Sequence, residues 1–302
     1  ITIHNMATWM VAQFGNADIQ KQIAPKMASG EWLGSYCLTE PGAGSDAGNL
    51  RTKATRDGDS YVLNGSKVFI SGAGATQMLV VMARTGEPGS GPKGISAFVV
   101  PADSDGIHYG KAEEKMGWNS QPTRQITFEN VRVPANNRLG EEGQGFMIAM
   151  KGLDGGRLNI ATCSIGGAQA ALLRARNYMH EREQFGQALA GFQALQFKLA
   201  DMATNLVAAR QMVRLAAYRL DQGDTEATLH CAMAKRFATD ACFEVCNEAL
   251  QLHGGYGYIR EYPLERYVRD LRVHQILEGT NEIMRLIVAR RLLEPGVAEA
   301  IQ

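Results

Sequence analysis

Apolar side chains between Leu195 and Leu220 recur in alternating steps of four and three residues, and this spacing constrains the fold strongly. A stripe with these steps follows one side of an α-helix and is typical of a helix packed at a shallow angle in a bundle. The positions of the stripe are Leu195, Leu199, Met202, Leu206, Ala209, Val213, Ala216 and Leu220.

Two further helices are predicted after Gly223-Asp224. One runs from about Thr225 to Leu252, and the other begins at about Asn281 and ends near Pro295. The apolar stripe of the first is predicted at Met233, Phe237, Ala241, Val245 and Ala249. The C-terminal half of the chain should therefore form a helical bundle.

Residues 34–138 have a different pattern, with short β-rich runs separated by turn dipeptides. QMLVVMAR, GISAFVV and RQITFENVRV follow one another at spacings typical of an antiparallel barrel or sandwich. Asn64-Gly65 lies between two β-rich runs and predicts a hairpin turn.

The first 33 residues have helical periodicity, with apolar residues at Met6, at Trp9 or Met10, and at Ile19 and Ile23. We interpret them as the remnant of a helical domain that lies mostly outside this chain. The predicted fold class is an α+β multidomain chain. Its parts are a helical remnant (1–33), an antiparallel β-barrel domain (34–138) and a four-helix bundle (139–302).

The composition argues against several classes of function. Acidic and basic residues balance at 31 each and neither sign is clustered, so a nucleic-acid surface is not expected. The five cysteines lack CxxC spacing and the six histidines lack HxxxH or HxH spacing, so no metal site is predicted. No apolar run is long enough to span a bilayer.

Two glycine-containing loops have residues found in ligand sites. In YCLTEPGAGSD, Gly42 and Gly44 would let backbone N–H groups approach a ligand, with Thr39 and Ser45 as hydroxyl donors. An ordinary tight turn explains the same residues equally well. The loop at 71–77 lacks the third glycine of a dinucleotide fingerprint and is followed by a β run, so we reject a Rossmann site there.

The segment HQILEGTNEIM contains a carboxylate, Glu278, just before a predicted helix start. Thr280 is a good N-cap and Glu282 lies in the first turn, where negative charge is favourable. Glu278 is thus either a carboxylate stabilised by the helix end or a general base with a pKa set by its apolar neighbours. Local chemistry permits both interpretations.

Five motifs in this order resemble those of the acyl-CoA dehydrogenase family of flavoproteins: YCLTEPGAGSD at 36–46, FIS at 69–71, REQFG at 182–186, QLHGGYGY at 251–258 and LEGTNE at 277–282. The resemblance runs from Phe14 to Pro295, although many members have Trp and Thr at the ends of the FIS triplet. It implies an N-terminal helical domain, a β-barrel, a C-terminal four-helix bundle and a homotetramer.

The resemblance also implies roles for individual residues. Glu278 would be the catalytic base. FAD would be bound by Tyr36, Cys37, Leu38, Thr39, Gly44, Ser45, Phe69, Ile70, Ser71, Thr280, Asn281 and Glu282. The FAD of a neighbouring subunit would be contacted by Arg182, Phe192, Gln193, Gln251, Leu252, His253, Gly254 and Gly255. The acyl-CoA would be bound by Ser45, Asp154, Gly155, Gly156, Arg157 and Arg290.

The implied reaction is α,β-dehydrogenation of a short branched acyl-CoA. GSYCLTEPG, GWNSQPTR and HQILEGTNEIM are most similar to members that oxidise isobutyryl-CoA to methacrylyl-CoA in valine catabolism. Alternatives are a straight short-chain or 2-methylbutyryl substrate, an oxidase, and a non-catalytic scaffold. The expected electron acceptor is an electron-transfer flavoprotein, and the compartment is bacterial cytoplasm or mitochondrial matrix.

Overall fold

The computed structural model describes residues 2–87, 89–299 and 301, so Ile1, Pro88, Ala300 and Gln302 lie outside the described residues. The chain divides into two compact units. The first consists of the residues up to Lys115 together with Asn119–Gly156, and the second of Met116–Trp118 together with the residues from Arg157 onwards.

The first unit begins with three short helices followed by the strands of one sheet. The helices are α1 (Thr2–Phe14), α2 (Ala17–Gln22) and α3 (Ala24–Ala28). The strands are β1 (Gly34–Cys37), β2 (Lys53–Asp57), β3 (Ser60–Ser71), β4 (Met78–Arg84), β5 (Ile95–Pro101), β6 (Ile107–Tyr109), β7 (Thr123–Pro134) and β8 (Arg138–Leu139).

The sheet is mixed, which corrects the wholly antiparallel arrangement expected from the sequence. Its strand order is β6-β7-β3-β2-β4-β5-β8, and β1 pairs with β4 off this path. β1 runs parallel to β4, and Lys53 of β2 also pairs in parallel with Arg84 of β4. Strand spacing in the sequence could not distinguish the two directions, because direction depends on which strands become neighbours.

Strand β4 explains where the two cores of this unit lie. Met78 and Val80 belong to one apolar cluster, while Leu79 and Val81 belong to the other. Successive side chains of a strand point to opposite faces, so an uninterrupted apolar run fits a strand buried on both sides. Met6 and Met10 of α1 belong to the first cluster, which confirms the predicted helical stripe. Of the two alternatives Trp9 and Met10, the stripe contains Met10.

The predicted hairpin at Asn64-Gly65 is wrong. Both residues lie inside β3, which pairs with β7 along its length with a register shift between Leu63 and Gly65. A Cβ added to Gly65 would lie 2.7 Å from the Cα of Thr52, so glycine here permits a close backbone approach. The turn lies instead between β2 and β3, where Gly58 has a φ of 60°.

The second unit is built from long helices, and the bundle prediction is confirmed. Its elements are the latter part of α4 (Gly145–Glu181), β9 (Glu183–Gln184), β10 (Gln187–Ala188), α5 (Gln193–Asp221), α6 (Ala227–Leu252), α7 (Gly255–Tyr258), α8 (Leu264–Arg272) and α9 (Asn281–Leu292). One apolar core runs through α4, α5, α6 and α8. The stripe predicted on α5 is confirmed, since its central residues are buried: Met202, Leu206, Ala209, Val213 and Ala216.

The stripe predicted on α6 is displaced by one position in its first half. The residues of this half that join the apolar core are Cys231, Ala234, Ala238 and Cys242. Phe237 packs only partly against the core. Small side chains on this face let α6 approach its neighbours closely. The prediction followed the large apolar residues of α6 and therefore placed the buried face one position away.

Within the described residues, no helix is long and apolar enough to cross a membrane. The same part of the chain contains no group of three or more His, Cys, Asp or Glu side chains arranged to hold a metal ion.

Candidate functional site

Glu278 lies in the turn before α9. Neither of its carboxylate oxygens, both buried, has a hydrogen-bond partner among the described residues. Burial raises the pKa of Glu278 to about 8, although the positive charges of Arg157 and Lys235 oppose this rise. A carboxyl group in such surroundings can hold or release a proton near neutral pH.

The backbone of this turn is strained. Glu278 has a φ of 55° and Gly279 a φ of 91°. The left-handed conformation is unfavourable for a glutamate and persists only where surrounding contacts hold it. Thr280 then caps α9, its hydroxyl accepting a hydrogen bond from the backbone N–H of Ile283 at 3.3 Å, as the sequence predicted.

A buried polar network supports the turn from α6. The Nζ of Lys235 donates to the carbonyl of Gly279 and to Oδ1 of Asn281, both at 2.8 Å. The Nδ2 of Asn281 donates to Thr239 at 2.9 Å and to Asp240 at 2.6 Å. The side chain of Asn281 is thus occupied inside the protein.

His274 and Ser164 form a second buried pair in the same unit. The Oγ of Ser164 is hydrogen-bonded to Nδ1 of His274 at 2.7 Å and lies 3.1 Å from the carbonyl oxygen of Ile160. Burial, with a smaller effect from the Lys235 charge, lowers the pKa of His274 to about 4. His274 is therefore a neutral imidazole, and its ring packs edge-on against Trp118 with centroids 5.2 Å apart.

The four predicted acyl-CoA residues 154–157 lie consecutively on α4. Asp154 and Arg157 are buried, with 6 % and 4 % of their surface exposed. A Cβ added to Gly155 would meet no described atom within 4 Å. No neighbour among the described residues therefore explains this helical glycine, which fits the interpretation that a ligand approaches it. Gly156 is buried.

In the first unit, the structure brings two predicted FAD segments together. The backbone N–H of Val68 donates to the carbonyl of Thr39 at 2.9 Å, and the Oγ of Ser35 donates to the carbonyl of Ser71 at 2.8 Å. Residues 36–45 and 69–71 therefore lie side by side. The side chain of Phe69 is 69 % exposed, and its φ is 58°.

The residues of these two segments differ in how far their side chains are exposed. Gly44 and Ser45 are exposed, so they are available to a ligand. Thr39 and Ser71 are half-buried. Four side chains contribute to the apolar cores, so any contact they make with a ligand at the surface would come mainly from their backbone: Tyr36, Cys37, Leu38 and Ile70.

A buried ion pair anchors the loop after β1. The Nζ of Lys67 donates to Oε1 of Glu40 at 2.7 Å and to the carbonyl of Leu38 at 3.0 Å. The carboxylate of Glu40 also accepts from the backbone N–H groups of Arg51 and Thr52 at 2.6 and 2.9 Å. Burial alone would raise the pKa of Glu40, but the charge of Lys67 and these hydrogen bonds hold it below its ordinary value.

A cleft of about 700 Å³ in the second unit collects six of the eight residues expected to contact a neighbouring subunit's FAD. They are Arg182, Gln251, Leu252, His253, Gly254 and Gly255. Phe192 and Gln193 do not line it, and neither does Glu278. His253 is stacked on Tyr178 with ring centroids 4.3 Å apart, and burial lowers the pKa of its imidazole.

The remaining predicted residues lie on or before α9 and α5. Arg290 lines a groove of about 250 Å³ with Thr228 and Glu294. It stands about 14 Å along the helix from Asn281, at 1.5 Å per residue. Glu282 is exposed, with its carboxylate 3.7 Å from Arg285. Phe192 and Gln193 begin α5, where Phe192 packs edge-on against Phe185.

Sequence reasoning missed five buried polar residues that shape these sites: Glu40, Lys67, Ser164, Lys235 and His274. The buried position of Lys235 could have been recognised in the sequence, because this lysine interrupts a helix face formed by Cys231, Ala234 and Ala238. A charged residue on an apolar face indicates a buried partner.

Comparison with known proteins identifies the family. The model described as "Acyl-CoA dehydrogenase, middle domain" matches residues 35–131, and that described as "Acyl-CoA dehydrogenase, C-terminal domain" matches residues 143–293. Mitochondrial isobutyryl-CoA dehydrogenases of Bos taurus and Dictyostelium discoideum are 54 % and 56 % identical to the chain. Each match covers 97 % of this chain and 70 % of the relative.

A solved structure agrees with this result. Butyryl-CoA dehydrogenase from Megasphaera elsdenii is similar with a TM-score of 0.95 at 42 % identity, over 97 % of this chain and 76 % of that one. The fold class predicted from the sequence is thereby confirmed. The chain belongs to the acyl-CoA dehydrogenase family of FAD-dependent oxidoreductases.

Proposed function

We propose that the protein oxidises a short branched acyl-CoA, isobutyryl-CoA, to its α,β-unsaturated product methacrylyl-CoA, with Glu278 as the base. The observation that carries this proposal is the carboxylate of Glu278, buried without a hydrogen-bond partner among the described residues and with its pKa raised to about 8. A carboxylate kept in this state costs stability, which is typical of a catalytic group.

Glu278 removes the proton from the carbon α to the thioester. This proton is weakly acidic, so the base needs a raised pKa and the thioester oxygen needs hydrogen-bond donors for its developing charge. No described residue accepts a hydrogen bond from the backbone N–H of Glu278, which leaves this group free to donate. Because the carboxylate of Glu278 is buried, it is a stronger base than the same group would be in water.

FAD, when bound, supplies the acceptor for the hydride from the β carbon. The residues present fit this cofactor. Exposed Gly44 and Ser45 offer polar donors at a loop anchored by Glu40 and Lys67, and exposed Phe69 offers an aromatic surface beside it. The open space at Gly155 and the buried Arg157 support binding of the acyl-CoA along α4, and Arg290 is a further proposed contact.

The proposed assembly is a homotetramer that passes electrons to an electron-transfer flavoprotein. The 700 Å³ cleft supports it, because its lining lacks Glu278 and collects the residues expected to contact a neighbouring subunit's FAD. Removal of the Arg182 charge by Arg182→Ala should then lower FAD retention, measured by absorbance after gel filtration, together with the tetramer fraction.

The substrate assignment is tested by anaerobic mixing of the FAD-loaded protein with isobutyryl-, 2-methylbutyryl- and butyryl-CoA while flavin absorbance is followed. Isobutyryl-CoA should give the highest kcat/KM for flavin reduction. Much faster reduction by butyryl-CoA would favour the straight-chain alternative, which the likeness to a butyryl-CoA dehydrogenase supports. Rapid reoxidation by air would indicate an oxidase, and no reduction by any acyl-CoA would indicate a scaffold.

Flavin reduction should depend on pH through Glu278. The base acts in its ionised form, whose fraction rises as pH rises through the pKa of about 8. We expect the rate of flavin reduction at low substrate concentration to increase with pH up to about 8 and to level off above it. A rate that is constant between pH 6 and 9 would contradict the assignment.

Gly155→Ala should stabilise the fold but weaken acyl-CoA binding. Alanine favours a helix over glycine and meets no described atom here, so the free energy of unfolding should rise by up to about 1 kcal/mol. The KM for acyl-CoA should rise as well, because the methyl group occupies space proposed for the ligand. Gly166→Ala on the same helix, also with open space around it, should stabilise similarly without changing KM. Equal KM values for both variants would contradict ligand approach at Gly155.

A further inference from the structure

Lys235 is a buried cation to which the proposed reaction has so far given no role. The residue is fully buried on α6, and its Nζ donates to the carbonyl of Gly279 and to Oδ1 of Asn281. Burial lowers the pKa of Lys235 to about 8. An apolar side chain of similar length would fill this space without the cost of desolvating a charge, so packing alone does not account for a lysine.

The acceptors of Lys235 lie in the strained turn that carries Glu278. Glu278 and Gly279 both have positive φ, and a Cβ added to Gly279 would lie 2.6 Å from the Cε of Met284. A turn in this conformation needs contacts that oppose relaxation. Lys235 supplies two of them, at Gly279 and at Asn281, one and three residues after the base.

We propose that Lys235 is a positioning residue that holds the turn 278–281 in the conformation presenting the Glu278 carboxylate to substrate, and that its positive charge stabilises the ionised form of this carboxylate. This inference rests on the proposed role of Glu278 as the base. The ammonium of Lys235 also favours the ionised carboxylate through its charge.

The charged and titratable groups around the pair come from several elements. Glu278 is influenced by Arg157 of α4 and Lys235 of α6, and in turn influences the Cys163 thiol. Lys235 is influenced by Glu278, Arg157, Asp240 and Glu282, and it acts on His274. If Lys235 becomes neutral, Arg157 remains as the cation acting on Glu278, so the pKa of the base should rise.

The test compares Lys235→Met, Lys235→Arg and Thr239→Val in the FAD-loaded full chain. The pKa of Glu278 is measured without substrate, from the infrared carboxyl band that Glu278→Gln removes. It is measured again from the pH dependence of flavin reduction by isobutyryl-CoA. Lys235→Met should raise both values by about 1 and, with KM little changed, lower the reduction rate at pH 7 about tenfold.

The other variants separate charge from packing. Thr239→Val removes a hydroxyl that contacts Asn281 and keeps the charge, so it should lower thermal stability and leave the infrared pKa unchanged. Lys235→Arg should give a pKa nearer the unmodified value than Lys235→Met does. Should Lys235→Met fail to fold, Lys235→Gln, which keeps a donor without charge, carries the same expected rise.

An unchanged infrared pKa in the neutral Lys235 variant would overturn the inference and leave Lys235 with a purely structural role. Equal pKa shifts in Lys235→Met and Thr239→Val would overturn it too. If no acyl-CoA reduces the flavin of the unmodified protein, the proposed function fails, whereas the infrared titration still decides whether Lys235 controls Glu278.

Discussion

Glu278→Gln is expected to lower the rate of flavin reduction by acyl-CoA about 10³-fold or more, which is the contribution usual for a well-placed general base. Glutamine has almost the same shape as glutamate but cannot accept the α proton. Acyl-CoA binding should persist, since Asp154, Arg157 and Arg290 are unchanged. Stopped-flow absorbance of the flavin measures the rate, and equilibrium titration measures the binding.

The same variant should also be more stable than the unmodified protein at neutral pH. The folded-state pKa of Glu278 lies near 8, above its ordinary value of 4.5, so folding is disfavoured once the unfolded carboxyl ionises as pH rises above 4.5. Removing the ionisable group should raise the free energy of unfolding at pH 7 by at least about 1 kcal/mol.

Glu244→Gln, on the exposed face of α6, is the matched control and should leave both stability and flavin reduction unchanged. Normal flavin reduction by the Glu278→Gln protein would show that another group takes the proton.

Lys67→Met is expected to cause the largest loss of stability, about 3–5 kcal/mol, because it leaves the buried carboxylate of Glu40 without its cation. The loop after β1 should loosen with it, so less FAD should be retained. Urea denaturation at pH 7 measures the stability, and flavin absorbance after gel filtration measures the retained cofactor.

Two further proteins test this explanation. Arg132→Met breaks a similarly close ion pair with Asp57 in which both side chains are 60 % exposed, and it should cost less than about 1 kcal/mol. Lys67→Met combined with Glu40→Gln should recover part of the loss, since no uncompensated charge remains. A double variant as unstable as the single one would show that packing, not charge, is responsible.

The contribution of the Glu40–Lys67 pair should depend on pH in a defined direction. The folded-state pKa of Glu40 is held below its ordinary value of 4.5, so the stabilisation is present above 4.5. It is lost as pH falls through the lower folded-state value. The stability difference between the unmodified protein and the double variant should therefore shrink in acid.

Local features of the fold could be predicted from the sequence because they depend on neighbouring residues. The α5 stripe, the Thr280 cap and the loop after β1 were all predicted correctly, since each is set by side-chain periodicity or by the chemistry of one turn. Asn64-Gly65 was misinterpreted because Gly65 is required by a close contact with Thr52, which lies just before β2 and is distant in the sequence. The buried face of α6 could not be predicted for a similar reason, because it depends on which helices pack against α6.

For Glu278, the sequence by itself determined a carboxylate before a helix start and, through the family resemblance, a proposed base. Only the tertiary structure decided that both carboxylate oxygens are buried without a hydrogen-bond partner in the described part of the chain, and that Arg157 and Lys235 act on them. A pKa depends on desolvation and on charges brought from distant segments, and neither is encoded in the spacing of residues along one turn.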